Sequence, residues 1–214
     1  MAVGGRARPP PQAPRRMRAL PAASLTLALS SLALAATPAA AEPARYTLDP
    51  AHSWVQFELS HFGTSTIRGR LGPAEGSVSL DPGAGRGEIG VTIPMASVST
   101  GLAAFDKHLR DAELLSTTEH PTAWFVSRDL RFDAGRLTEL RGELTLRGVS
   151  RGLTLTATRY ACHRHPVLQR EVCGGDFEGR IRRSDFGIDY GLPFVRDEVT
   201  LRVQVEGVRS DPAP

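Results

Sequence analysis

The stretch DPAHSWVQFELSHFG, residues 49–63, alternates large apolar side chains with polar ones. This period of two residues is typical of a β-strand with one buried face, because successive side chains point to opposite sides of a strand. The stretch therefore predicts one strand of a sheet. Its apolar face carries Val55, Phe57, Leu59 and His61.

The same alternation recurs in GEIGVTIP, ELRGELTLRG, GLTLTATR, DFEGRIRR and DEVTLRVQVEGV. Strands with one apolar and one polar face indicate an antiparallel sheet, since parallel strands are apolar on both faces. TSTIRGRLG, EGSVSLDP and TAWFVSRDLRF bring the total to about eight long strands, which favours a closed barrel or a sandwich. The inward positions that we select from these segments are Ile89, Val91, Leu144, Leu155, Ile181, Arg183, Leu201 and Val203.

One connection interrupts the pattern, TGLAAFDKHLRDAELLSTTEHP at residues 100–121. Its Ala and Leu side chains, including Leu114 and Leu115, predict a short helix that ends before Pro121. We expect the apolar side chains of this segment to cover one end of a barrel.

Residues 1–41 contain no acidic side chain and have the layout of a secretory signal peptide. A basic RRMR is followed by an apolar run and then by TPAAA, so cleavage is predicted after Ala41. A membrane anchor is the competing interpretation, but the apolar run is shorter than the roughly 20 residues that span a bilayer. Met17 is an alternative start codon, in which case residues 1–16 would not be translated.

Removing residues 1–41 takes away five of the 26 basic residues and leaves 21 against 23 acidic ones. The high isoelectric point therefore belongs to the targeting segment and gives no support to nucleic-acid binding. Residues 42–214 have the length of a single domain with a substantial core.

Cys162 and Cys173 both lie in the exported part of the chain, where an oxidising compartment favours a disulfide. They bracket HRHPVLQREV, which we interpret as a hairpin or long loop closed at its base. A metal site that combines these cysteines with His163 and His165 is the alternative.

The histidines of the opening stretch do not suit a shared metal site. On one regular strand His52 and His61 point to opposite faces and lie roughly 30 Å apart. His61 on the inward face needs a hydrogen-bond partner, from the protein or from a ligand. An inward Arg183 needs a carboxylate such as Asp185 or Asp197, a position at the rim in water, or a ligand headgroup.

Four segments in order resemble the YceI-like, polyisoprenoid-binding family: TLDPAHSWVQFELSHFGTSTIRGRLG, ASVSTGLAAFDKHLRDAELLSTTEHPTAWFVS, GELTLRGVSRGLTL, and IRRSDFGIDY with DEVTLRVQVEG. The resemblance covers residues 46–208. It implies an all-β fold, an extended eight-stranded antiparallel lipocalin-like barrel around a long apolar chain, with no catalysis and no metal. The chain departs from the family's usual pattern in ACHRHPVLQREVCGGD and at Leu114 and Leu115.

The leading hypothesis is therefore a periplasmic protein that binds a long-chain isoprenoid lipid, with no catalytic residue and no cofactor. The twelve inward positions named above are the predicted ligand-binding residues. Transient contact with a membrane and a homodimer are left open. The alternatives are a hydrolase or isomerase on an isoprenoid substrate that uses His61, and a haem- or metal-linked redox accessory protein.

Overall fold

The computed structural model describes residues 42–210, together with residues 1, 2, 4, 5 and 12. The predicted signal peptide and the alternative start at Met17 fall outside the described residues, apart from those five positions. Residues 42–210 belong to one compact unit, Ala40–Pro214. Within that range no helix is long and apolar enough to cross a bilayer.

Ten antiparallel strands and one α-helix make up most of residues 42–210. Short 3₁₀ turns lie at Pro50–His52, Met95–Ser97 and Arg183–Phe186. The helix is α1, Ala103–Arg110. The strands are β1 Ala44–Leu48, β2 Trp54–His61, β3 Ser65–Leu71, β4 Glu75–Asp81, β5 Arg86–Pro94, β6 Thr122–Asp133, β7 Arg136–Leu146, β8 Val149–Arg164, β9 Glu171–Arg182 and β10 Glu198–Arg209.

Eight of these strands close into a barrel. From β4 to β10 each strand pairs with the next along the chain, β1 pairs with β4, and β1 also pairs with the end of β10, where Leu48 faces Gly207. The hairpin of β2 and β3 joins the first half of β10, where Val55 faces Val203. The predicted eight-stranded antiparallel barrel is confirmed, and the β2–β3 hairpin extends its wall.

The alternation seen in the sequence places the apolar side chains inside the barrel. In β9 and β10, Ile181 faces Val199 and Phe177 faces Val203 across the two strands. Burial of such side chains contributes about 25 cal/mol per Å² of apolar area removed from water. The buried core draws on every strand of the closed ring, from Tyr46 in β1 to Leu201 in β10.

The opening stretch is not one regular strand. Pro50–His52 form a 3₁₀ turn in which the Asp49 carboxylate accepts a hydrogen bond of 3.0 Å from the Ala51 N–H, and β2 begins only at Trp54. Proline suits the first position of such a turn because its φ is preset and no N–H is lost. The prediction that His52 shares a regular strand with His61 is therefore wrong.

The predicted helix is present but shorter than the apolar residues suggested. It ends at Arg110, and Leu114 and Leu115 lie in the turn that follows. The entry to α1 is fixed by Asp106, whose carboxylate accepts hydrogen bonds of 2.6 Å from both the N–H and the hydroxyl of Thr100. These two bonds hold the pKa of Asp106 below its ordinary value, and the bond from the hydroxyl has the larger effect.

Candidate functional site

The barrel interior contains a cavity of about 290 Å³, which we call the main cavity. It lies beside the first half of β10, between the β2–β3 hairpin and the last part of β9, and the segment containing α1 contributes to its lining. Eight of the twelve sequence-predicted residues line it: Val55, Phe57, Leu59, His61, Leu144, Ile181, Arg183 and Leu201.

A second cavity of about 80 Å³ lies beside the second half of β10, and we call it the small cavity. The other four predicted residues line it: Ile89, Val91, Leu155 and Val203. The strand pattern predicted that all twelve residues share one inward face. In the structure they line two separate cavities. The division falls between Leu201 and Val203, two residues apart on the inward face of β10.

Several residues of the main cavity were not selected from the sequence. Ile67, Leu71, Leu146 and Val199 lie on strands whose alternation was visible, so the same period-two rule could have found them. Ile93 and Ala123 also lie on strands, and the others come from α1 and from irregular segments, where no period of two residues indicates direction. The main ones are Met95, Phe105, Leu109, Leu115, Ile188, Tyr190 and Val195.

His61 lies at the end of β2 and lines the main cavity together with His108 and Tyr190. Because all three are partly or largely exposed, we infer that the cavity opens beside them. His61 is half-buried, so water can reach it, and its ring packs edge-on against Phe62 at 4.7 Å between centroids. Within residues 42–210 its ring has no hydrogen-bond partner, and no carboxylate is positioned to activate it. Of the two partners considered from sequence, the described residues supply none to the ring, and a ligand as the partner of His61 stays a prediction.

His108 and Tyr190 form a second polar contact at the same opening. The His108 Nδ1 atom lies 3.4 Å from the Asp111 carboxylate and 3.5 Å from that of Glu113, and its ring meets Tyr190 edge-on at 5.2 Å. The contact joins the end of α1 to the loop that follows β9. The segment containing α1 was expected to cover one end of the barrel, and its apolar side chains do line the main cavity, whereas the loop after β9 was not selected from the sequence.

Arg183 is buried, with 5% of its surface exposed, and lies on the 3₁₀ turn after β9. Its guanidinium donates four hydrogen bonds of 2.8–3.0 Å to backbone carbonyls and none to a carboxylate. The carboxylate partner and the rim position in water are therefore wrong, and a ligand headgroup near Arg183 stays a prediction. The accepting carbonyls are those of Ile188, Tyr190, Val195 and Arg196.

These bonds make Arg183 the anchor of the loop at residues 187–197. Burial lowers the pKa of its guanidinium, although Asp197 and Asp189 oppose that change. Asp197 itself pairs with Arg182 at 3.0 Å and accepts hydrogen bonds from the N–H and hydroxyl of Ser184. Partial burial raises the pKa of Asp197, but these donors outweigh it, so the net pKa lies below the ordinary value.

The predicted disulfide is present. Cys162 and Cys173 face each other across β8 and β9 and are joined by an S–S bond of 2.01 Å. Their sulfurs are not free for a metal, which removes the alternative site with His163 and His165. Cys173 also lines the small cavity, whereas Ile181 near the other end of β9 lines the main cavity with His61.

Tyr46 reinforces this part of the barrel. Its hydroxyl donates a hydrogen bond of 2.6 Å to the Glu171 carboxylate and lies 3.5 Å from the Cys173 sulfur. Burial, followed by that hydrogen bond, raises the pKa of the phenol well above its ordinary value. We call the region of these three residues and Cys162 the disulfide end, and the opposite region around the main cavity the cavity end.

A group of possible metal ligands, Asp49, His52 and Glu206, lies outside the barrel. The His52 Nδ1 atom is already hydrogen-bonded to Asp49 at 2.7 Å, and the Glu206 carboxylate is 3.9 Å away. The hydrogen bond to Asp49 raises the pKa of His52, and the negative charge of Glu206 raises it further. The arrangement is a solvent-exposed hydrogen-bonded pair at the turn before β2, not a cavity site.

Comparison with known proteins now adds to this geometry. A family model for the YceI-like domain matches residues 46–207. The chain belongs to the YceI-like family. Protein YceI of Shigella flexneri is 35% identical over 188 residues, which cover 86% of this chain and 96% of that protein. The Escherichia coli O157:H7 protein of the same name is 34% identical with the same coverage.

Solved structures share the fold. The YceI protein of Campylobacter jejuni has a TM-score of 0.60 at 23% identity, covering 71% of this chain and 90% of that one. BcnA of Burkholderia cenocepacia has a TM-score of 0.61 at 21% identity, covering 74% and 98%. A polyisoprenoid-binding domain from Saccharophagus degradans has a TM-score of 0.53 at 19% identity, covering 77% and 98%.

Proposed function

We propose that this protein binds the long apolar chain of an isoprenoid-type lipid, a polyisoprenoid or a quinone-type chain, in the main cavity. The observation that carries the proposal is the lining of that cavity, which is apolar except for four polar side chains, three of them at the opening. The fourth, Arg183, is already committed to backbone carbonyls. The polyisoprenoid-binding domain with the same fold supports this ligand class.

The cavity dimensions suit a slender ligand. Its volume of about 290 Å³ is at the lower end of the roughly 300–1,000 Å³ typical of small-molecule sites. An eight-stranded barrel has room for one such ligand along its axis. A longer chain would have to enlarge the main cavity toward the small one by moving side chains near Leu201 and Val203.

Binding of this kind requires no reaction, and we propose a carrier, storage or sequestering role without catalysis. His61 lacks an activating carboxylate within the described range, and the candidate metal ligands lie outside the barrel. The disulfide supports an oxidising compartment, and with the predicted signal peptide we propose the periplasm.

The first test is a titration with geraniol, farnesol and geranylgeraniol. We expect affinity to rise with chain length, since each buried methylene contributes about 0.8 kcal/mol. Native mass spectrometry of the gently purified protein should also show a co-purified lipid mass. A protein that emerges empty and binds none of the three alcohols would overturn the proposal, and bound haem or metal would favour the redox alternative.

Two substitutions on the same face of β10 make the titration specific to the main cavity. Leu201→Trp fills space in the main cavity, so we expect the affinity for the shorter alcohol farnesol to fall about tenfold or more, as for the loss of a buried apolar contact. Val203→Trp is the matched control in the small cavity, where overpacking should cost about 1–3 kcal/mol of stability with a smaller effect on affinity. Equal losses of affinity would contradict the assignment of the ligand to the main cavity.

A further inference from the structure

Two phenylalanines stand outside the barrel at the cavity end. Phe62 is 58% exposed and Phe194 is 62% exposed, and their rings stack with centroids 5.3 Å apart. A single exposed apolar side chain is common, but two stacked aromatic rings from distant parts of the sequence form a continuous apolar surface. We call these two residues the aromatic pair.

The backbone holds the aromatic pair in place. Phe62 has a φ of +53°, a conformation that is uncommon for a bulky residue and costs energy to maintain. Its N–H donates to the Phe194 carbonyl at 2.8 Å, and the preceding residue, His61, bridges Val195. Arg183 in turn binds the Val195 carbonyl at 2.8 Å. A buried anchor thus fixes the loop that presents Phe194 to solvent.

The aromatic pair borders the opening of the main cavity. His61 and Val195 line the cavity, and Phe62 and Phe194 are their immediate neighbours in sequence, pointing away from it. Tyr190, another residue of the lining, is itself 51% exposed. An apolar chain that entered between these segments would pass directly beside the exposed rings.

The composition of the two segments indicates what they contact. Residues 61–67 and 190–195 contain no Asp, Glu, Lys or Arg, although 23% of the whole chain is charged. Arg196 follows directly, is exposed, and within residues 42–210 has no ion pair or hydrogen bond through its side chain. Asp189 precedes Tyr190, and Asp111 and Glu113 lie beside His108, so the charge-free surface is confined to the aromatic pair and its immediate neighbours. There, uncharged rings followed by the exposed Arg196 suit a bilayer surface, where aromatic rings reach the acyl boundary and a guanidinium binds phosphate.

We propose that the aromatic pair is a docking surface for a phospholipid bilayer, which places the opening of the main cavity against the membrane. This inference rests on the proposed function, because a lipid ligand resides in a membrane and needs a dry path into the barrel. Phe62 and Phe194 enter the interfacial layer, while Tyr190 and Arg196 lie at its edge.

The test is co-sedimentation of the full chain with phosphatidylcholine vesicles that contain a minor fraction of phosphatidylglycerol. The test variant is Phe62→Asn with Phe194→Ser, since Asn tolerates a positive φ. The matched control, Trp124→Thr with Val126→Thr, removes two exposed apolar side chains from the outer face of β6. Geranylgeraniol binding in vesicle-free solution is measured for each protein.

We expect the test variant to bind vesicles about tenfold or more weakly, because it loses the burial of two phenylalanine side chains in the interfacial layer. Its affinity for geranylgeraniol in solution should not change, and the control variant should bind vesicles like the wild type. Wild-type protein that binds the alcohol but not vesicles would overturn the docking surface alone. Protein that binds vesicles but no isoprenoid would instead overturn the proposed function.

A second copy of the chain is the other occupant that the aromatic pair could have. Light scattering of the wild type and the test variant distinguishes it. A dimer that becomes a monomer in the test variant, with unchanged vesicle binding, would overturn membrane docking in favour of self-association. Monomers in both cases, with weakened vesicle binding, support the proposal.

Discussion

The two ends of the barrel are closed by different means. At the disulfide end, β1 pairs directly with β10, a covalent bond joins β8 to β9, and Tyr46 is hydrogen-bonded to Glu171. At the cavity end, β10 pairs with the β2–β3 hairpin, and the remaining side is covered by α1 and loops. The small cavity lies at the first end and the main cavity at the second.

This difference indicates where a ligand enters. A regular strand ladder joined by a disulfide can open only by breaking many bonds at once, whereas a loop held by a few polar anchors can open locally. At the cavity end those anchors are Arg183, Asp106 and Asp197, and each binds the backbone of a covering segment. Entry at the cavity end is therefore the less costly route.

The largest effect should come from removing the anchor of the loop. Arg183→Met leaves four carbonyls without their donor, and we expect the free energy of unfolding to fall by about 3–5 kcal/mol. Arg182→Met is the control, because it removes an exposed ion pair worth about 0–1 kcal/mol. Urea unfolding measures both, and similar losses would contradict the anchor role.

The sequence could predict most of the barrel but little of this anchoring. Period-two alternation depends on burial of one strand face, so it placed Val55, Leu144 and Leu201 correctly on the inward face. The short separation of Cys162 and Cys173 and the predicted export of the chain were likewise enough to predict their disulfide.

The cavity end was harder to predict from the sequence, because the segments that cover it lack the period of two residues that marks a strand. Arg183 lies one residue beyond the end of β9. The alternation of β9 therefore predicted its inward direction correctly, but the predicted carboxylate partner was wrong. Its four carbonyl acceptors lie in a loop that only the tertiary structure brings together. The aromatic pair escaped notice for the same reason, since Phe62 and Phe194 are 132 positions apart.

An intermediate effect is expected at the disulfide end. Replacing both cysteines by alanine should lower the free energy of unfolding by about 2–3 kcal/mol, through the added freedom of the unfolded chain. Affinity for geranylgeraniol should change by less than about twofold, because distant sites act independently. Treating the wild type with reductant should reproduce the loss in unfolding experiments, and the alanine variant should not respond. A large loss of affinity would contradict the separation of the two ends.

The smallest effect should be a response to pH that differs in sign between the ends. At the cavity end the pKa of Asp106 is lowered by Thr100, so its contribution to stability is complete above the ordinary value of 3.8 and is lost as pH falls below it. His52 lies beside the disulfide end, because Glu206 faces Gly174 next to Cys173, and its pKa is raised by Asp49 and then by Glu206. Its contribution is complete below the ordinary value of 6.5 and is lost as pH rises through the raised pKa.

Urea unfolding of Asp106→Asn and His52→Asn across a pH series separates these contributions. Between wild type and Asp106→Asn, the difference in free energy of unfolding should be largest near neutral pH and should narrow below pH 3.8. For His52→Asn the difference should instead narrow as pH rises above 6.5. Differences that do not vary with pH would show that neither carboxylate nor imidazole charge contributes, and that the segments before α1 and β2 are held by their uncharged hydrogen bonds alone.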